Sequence, residues 1–221
     1  MDTILSYLRN LEANNNKYWF DAHKSEYLQA RSHFNAIVEK LIEGILAFDP
    51  SVKGVGIKES TYRIHKDMRF SRDGLPYKTH FGAFICRGGK KSGFSGYYFH
   101  IGTGSGEEYP CRSFLAIGNY YMEPKVLKIV REDIELGGGD FDRIIKGLHP
   151  SLSLDQDLKL KRAPLGFNAD GPYIEYVKLR NFCLSGAYDD AHLDIEEVLQ
   201  VFKSAKPFLD YINRAIEYSR E

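Results

Sequence analysis

The apolar spacing of this chain changes period twice, and that change restricts it to a mixed α and β fold. Phe34, Ile37, Val38, Leu41, Ile42 and Ile45 fall at i, i+3, i+4, i+7, i+8 and i+11, which is one stripe of an amphipathic helix. Ile4, Leu5, Leu8 and Leu11 repeat that spacing behind Asp2, a candidate N-cap. Asn14, Asn15 and Asn16 mark a turn before a helix that opens with Trp19 and Phe20. Asp49-Pro50 ends the long helix, because the residue before a proline is pushed out of the α region. From residue 60 the period drops to two: Tyr62 and Ile64 point one way, Thr61, Arg63 and His65 the other. Further strands are predicted over 81–87, 97–101 and 114–117, joined by Gly-rich connections such as 88–93, the pattern of an antiparallel meander.

After Pro124 the helical period returns through Val126, Leu127, Val130 and Ile134. Gly137-Gly138-Gly139 predicts its end, with a short helix over 141–148 beyond. Residues 150–172 read as irregular and 182–184 as a last strand. A C-terminal helical region is predicted from Asp189-Asp190 onward, broken at Pro207. The expected fold class is α+β: one domain over 1–221, with a mostly antiparallel sheet of about four to six strands and helices from both ends of the chain on one face.

Composition removes several functions. Lys plus Arg equals Asp plus Glu at 30 each, so the chain lacks the global positive field of a general polyanion binder. Its three cysteines, Cys86, Cys111 and Cys183, are widely spaced and form no CxxC pair, which fits a reducing compartment and three small hydrophobes. The N-terminus has no charged stretch followed by an apolar run. No apolar segment approaches the ~18 residues that a membrane span needs. The chain therefore reads as cytoplasmic, with no membrane partner.

Against this neutral total, residues 62–80 are locally basic. Arg63, His65, Lys66, Arg69, Arg72, Lys78 and His80 face only Asp67 and Asp73. Arg presents a planar fork of donors that matches carboxylate and phosphate, so this segment has the makings of an anion pocket. Arg63 and His65 alternate onto one face, and the polar turn over 71–76 returns Lys78 and His80 toward it. On the strand over 97–101, Tyr98 and His100 share a face, with Tyr97, Phe99 and Ile101 on the other. The expected anion-binding set is Arg63, Arg69, Arg72, Lys78, His80, Tyr98 and His100. His65, whose ordinary pKa suits proton transfer near neutral pH, is the expected acid/base and Asp67 its orienting partner. The competing structural reading pairs Arg63 with Asp67 and Arg69 with Asp73.

The same segment resembles a known family. Tyr62-Arg63-Ile64-His65-Lys66-Asp67-Met68-Arg69-Phe70-Ser71-Arg72-Asp73 and Pro76-Tyr77-Lys78-Thr79-His80-Phe81 are similar to the hallmark of domain of unknown function 2461. Residues 11–23 and 160–170 are similar to its other signatures, so the resemblance covers nearly the whole chain. It implies one domain, and it places the family's basic pattern on Arg63, Asp67, Arg69, Ser71, Asp73, Pro76, Tyr77 and Lys78. Two departures stand out: Gly74 replaces a usual Lys, and 116–120 reads Ala-Ile-Gly-Asn-Tyr in place of a Gly-rich cluster.

Other chemistries fit less well. The run from His100 to Gly106 is Gly-rich but is followed by no Lys-Ser/Thr, so it matches neither a P-loop nor a dinucleotide fingerprint. His65, Asp67, Asp73, His80, His100 and Glu107 offer metal-binding atoms, yet none has a tight ligand spacing and the surrounding cations repel a metal ion. No metal site is expected, and no cofactor is identified. The partner expected is a small molecule bearing phosphate or carboxylate. The neutral total charge disfavours an extended nucleic-acid footprint but is compatible with a mononucleotide or short single strand. The alternative is a non-catalytic module that docks nucleic acid or an acidic protein.

Overall fold

The computed structural model describes residues 1–69, 74–104, 112–188, 190 and 193–221. Helix α1 (Asp2–Ala13) begins at Asp2 itself, with Met1 as the N-cap residue. Helix α2 (Lys17–Ala22) is capped by the Asn16 side chain, which accepts from the Trp19 amide, and α3 (Lys24–Phe48) carries the long stripe and ends before Asp49. Short α4 (Ile57–Ser60) leads into the sheet strands β1 (His80–Ile85), β2 (Gly96–Gly102) and β3 (Phe114–Asn119). Then come α5 (Pro124–Lys146), β4 (Ser153–Leu154), α6 (Ile174–Val177), β5 (Phe182–Ala187), α7 (Ile195–Ser204) and α8 (Lys206–Tyr218). The strands form one antiparallel sheet in the order β1-β2-β3-β5-β4.

Alternation along the strands decides the two faces. Ala83, Phe99 and Leu115 stand opposite one another on β1, β2 and β3, as do Ile85, Tyr97 and Ile117, and all six are buried. The helices cover this side. The Phe34 ring stacks on Phe81 at 5.2 Å and on Phe99 at 6.2 Å, Tyr97 packs on Phe202 of α7, and Phe141 of α5 meets Phe182 edge-on. The predicted α+β architecture, with helices on one face of an antiparallel sheet, is the observed one.

Three local expectations are corrected. Residues 60–65 do not form a regular strand: Ser60 closes α4, and Thr61 and His65 make isolated bridges to Ala83 and Tyr77. Strict alternation fails there because the chain bends to bury Ile64 along with Thr61, leaving Tyr62 part-exposed on the other side. The three glycines do not stop α5. The helix runs on to Lys146 with one non-helical residue, Gly137, and Gly138 lets the Tyr173 ring pack where a Cβ would stand 2.4 Å from it. The expected start at Asp189-Asp190 falls partly outside the described residues, with Asp190 itself in a 3-10 turn; α7 starts at Ile195, with Asp194 accepting from the Glu196 amide as its cap, and the expected break at Pro207 separates α7 from α8. Within the turn-rich stretch 150–172, Ser153–Leu154 adds an edge strand against β5.

Phe34 joins the longest helix to two strands, so its removal opens a cavity that no neighbour can fill. Phe34→Ala is expected to cost about 3–5 kcal/mol of stability, measured by guanidinium unfolding. A loss below about 1 kcal/mol would mean that the helix layer is held elsewhere.

Candidate functional site

The side of the sheet away from the helices is open. His80, Gly82 and Phe84 of β1, Tyr98 and His100 of β2, and Phe114 and Ala116 of β3 alternate onto it. Two adjoining hollows occupy this side. A recess of about 260 Å³ is lined by Tyr62, Arg63, Lys78, His80, Gly82 and Tyr98. A cleft of about 1030 Å³ runs from Tyr62 and Tyr98 across β3 and β5 to the segment 151–157. Tyr62 and Tyr98 line both, so they mark where the hollows meet.

The basic segment is held at the β1 edge by contacts distant in sequence. Arg31 of α3 donates to the Thr61 hydroxyl at 2.6 Å and to the Tyr62 carbonyl at 2.9 Å. The Tyr62 amide donates to the Gly82 carbonyl, and the Lys78 amide to the Ile64 carbonyl, so the chain leaves and returns alongside itself. Asn15 fixes the return. Its side chain donates to the Tyr77 carbonyl at 2.9 Å and accepts from the Tyr77 amide at 3.1 Å. Tyr77 is thereby buried and stacked on Phe20 at 4.1 Å, while its neighbour Lys78 lines the recess.

Two cations, exposed Arg63 and half-buried Lys78, line the recess. Among the described residues neither makes a salt bridge, and the Lys78 ammonium lies 5.6 Å from the Tyr62 ring centroid, a cation–π contact. Burial, and then the charges of Arg63 and Lys66, pull the Lys78 pKa below its ordinary value.

Two imidazoles lie beside these cations. His80 and His100 are tilted against each other with centroids 4.5 Å apart, and His100 stacks on Phe114 at 4.6 Å. His100 Nδ1 shares a 3.0 Å hydrogen bond with the Tyr98 hydroxyl. Gly82 makes room for that bond: it stands opposite His100 in the ladder, and a Cβ there would lie 2.6 Å from the Tyr98 oxygen. Burial, with the charges of Lys78 and Lys66, pulls His80 down to about 4; burial, with His80 beside it, pulls His100 down to about 3. Both are neutral at pH 7, so the recess sets the uncharged His80 imidazole next to an ammonium and a guanidinium group, with His100 buried against it.

The remaining expected residues lie elsewhere. His65 packs edge-on against Phe20 and Tyr77, at 5.5 and 5.2 Å, and does not line the recess. Asp67 is occupied by Arg69, which donates to its two oxygens at 3.0 and 2.7 Å, so the ion pair here is Asp67–Arg69 and not Asp67–Arg63. His65 and Asp67 share no hydrogen bond among the described residues. Arg72, Ser71, Asp73, Glu107 and Cys111 lie outside the described residues. Cys86 and Cys183 are buried free thiols, their pKa values pushed up to about 11 and about 12 by burial. Among the described residues no group of three or more His, Cys, Asp or Glu is placed to hold a metal ion, and no helix is long and apolar enough to cross a membrane.

Sequence reasoning did not identify most of the cleft. Its floor is made of small residues, Ala116, Ser185 and Ala187, and its rim carries Tyr120 and Tyr121, the latter 82% exposed. The available signal was the run 116–120, which interrupts the bulky alternation of β3 and lines the cleft.

The neutral imidazoles set an acid sensitivity. The unfolded chain protonates both near their ordinary 6.5, while the folded chain resists until about 4 and about 3, so acid favours unfolding as pH falls below about 6.5. The urea midpoint is expected to drop between about pH 7 and about pH 5, and to drop less in the His80→Gln/His100→Gln double variant. Equal drops in both proteins would show that other groups govern the transition.

Comparison with curated proteins and with solved structures returned no match. A family model described as conserved hypothetical protein (DUF2461) matches residues 3–211. The basic segment, the recess and the cleft all fall within that match, and the chain belongs to this family.

Proposed function

We propose that this protein binds a small molecule through a phosphate or carboxylate group held between Arg63 and Lys78. The observation that carries this reading is the pair of cations at an open recess, Lys78 half-buried, with neutral His80 beside them and no salt bridge to either among the described residues. Partly desolvated positive charge crowded by other cations is costly, and an anion entering the recess removes that cost while gaining charge-assisted hydrogen bonds. Arg63 provides the planar fork and Lys78 the point charge. Tyr98, hydrogen-bonded to His100, places a phenol at the edge of the same recess, where it can donate to the bound group or exchange a proton with it.

Recess geometry favours this over docking of a polyanion. The cations flank a hollow of about 260 Å³ and do not line an extended stripe, while the chain as a whole carries no net charge. His65, against Phe20 and Tyr77, is given no part in holding the anion.

Thermal unfolding with inorganic phosphate tests the reading. At about 100 times its dissociation constant phosphate should add about 2.7 kcal/mol of stability, seen as a rise in Tm, and the rise should survive moderate salt. Arg63→Ala and Lys78→Ala should each lose the rise while keeping the far-UV spectrum and an unliganded Tm close to the parent's. If phosphate and simple dicarboxylates leave Tm unmoved, or if Arg63→Ala unfolds the chain, the anion site is refuted and the segment is a structural network.

A further inference from the structure

The recess does not stand alone. It shares Tyr62 and Tyr98, packed edge-on against each other, with a cleft four times larger, and the floor of that cleft has a measurable length. Tyr98, Ala116, Ser185 and Ser153 stand directly opposite one another on β2, β3, β5 and β4. At roughly 4.8 Å per strand this row runs about 14 Å across the sheet. Free phosphate fills only the recess end of such a site.

Chemistry changes along the row. At the β1 end are the two cations and the neutral imidazoles. In the middle, aromatic side chains stand around a low floor: Tyr98 and Phe114 lie 5.6 Å apart on one side, and Tyr120 and Tyr121 meet edge-on at 5.0 Å on the other. The low floor follows from size, because Ala116 and Ser185 carry small side chains where β1 and β2 carry Phe84 and Tyr98. At the β4 end the lining turns to oxygen acceptors. Asp155 is anchored there by the Asn181 side-chain amide at 2.8 Å and by its own amide donating to the Cys183 carbonyl, and Asp157 lies beside it. The cleft therefore has aromatic surfaces over a low floor in the middle and carboxylates at the β4 end, with Lys90 and Arg112 also among its lining residues.

We infer that recess and cleft form one elongated site for a mononucleotide, with the phosphate between Arg63 and Lys78 and the base on the low floor at Ala116 against the aromatic rim. This rests on the anion site proposed above. The cations of the recess select a ligand that is anionic at one end. The aromatic middle selects a flat ring, since a ring face stacks on tyrosine and phenylalanine whatever its substituents. A dicarboxylate or a simple phosphate meets only the first requirement, and a sugar phosphate lacks the flat ring.

Isothermal titration of the full chain with inorganic phosphate, ribose 5-phosphate and AMP distinguishes these. AMP should bind at least about fivefold more tightly than the other two, the lower end of what one stacked base contributes. Lys78→Ala should weaken all three by a similar factor. Ala116→Leu, which raises the floor without touching a charge, should bring AMP to within about threefold of ribose 5-phosphate and leave phosphate binding unchanged. Ser185→Leu blocks the neighbouring strand and serves if Ala116→Leu does not fold. Should phosphate bind while AMP binds no more tightly, the anion site stands and the mononucleotide assignment falls. Should AMP keep its advantage in both floor variants, the base lies elsewhere and the assignment also falls. If none of the three binds, the anion site falls and this inference with it.

Discussion

The packing of Phe34 against Phe81 and Phe99 determines the rest of the molecule. It commits the longest helix to one face of the sheet, and the other helices follow because the apolar residues of every strand must share that face. Burial of large apolar side chains, aromatic and aliphatic, supplies most of the driving force. The consequence is asymmetry: one face of the sheet is buried under the helices, the other is left to polar, aromatic and small residues.

That open face is where the energetic compromises lie. Burying two imidazoles so far that both stay neutral costs stability in acid, and crowding Lys78 with Arg63 and Lys66 costs more. Neither arrangement contributes to the core. Sequences depart from the most stable choice chiefly where a site requires it, and this cost is what the proposed anion site accounts for. The glycine at position 82 fits the same pattern. It gives up the better strand propensity of a larger residue and provides the space in which Tyr98 reaches His100.

The edge that carries the recess is held by side chains remote in sequence. Asn15 and Tyr77 are 62 positions apart and exchange two hydrogen bonds, and Arg31 reaches Thr61 across 30. A hairpin-like edge with only isolated bridges would otherwise fray. These anchors come from α3 and from the turn between α1 and α2, so the helix layer positions Arg63 and Lys78 on the far edge even though it covers the opposite face.

Periodicity is a local property, and it determined the elements: the stripe from Phe34 to Ile45, the alternation of Tyr97, Phe99 and Ile101 against Tyr98 and His100, and the class of fold. The basic composition of 62–80 is likewise enough by itself to single out Arg63, Lys78 and His80. Alternation misled at 60–65, where Ile64 turned inward, because burial of one large side chain outweighs a regular strand at a sheet edge. It also grouped His65 with Arg63, whereas packing against Phe20 and Tyr77 drew that ring away. The pairing of His80 with His100, the space above Gly82 and the cleft across β3, β5 and β4 depend on strand order and register. Those are settled by which apolar faces can be buried together, a relation between distant segments that no spacing along the chain records.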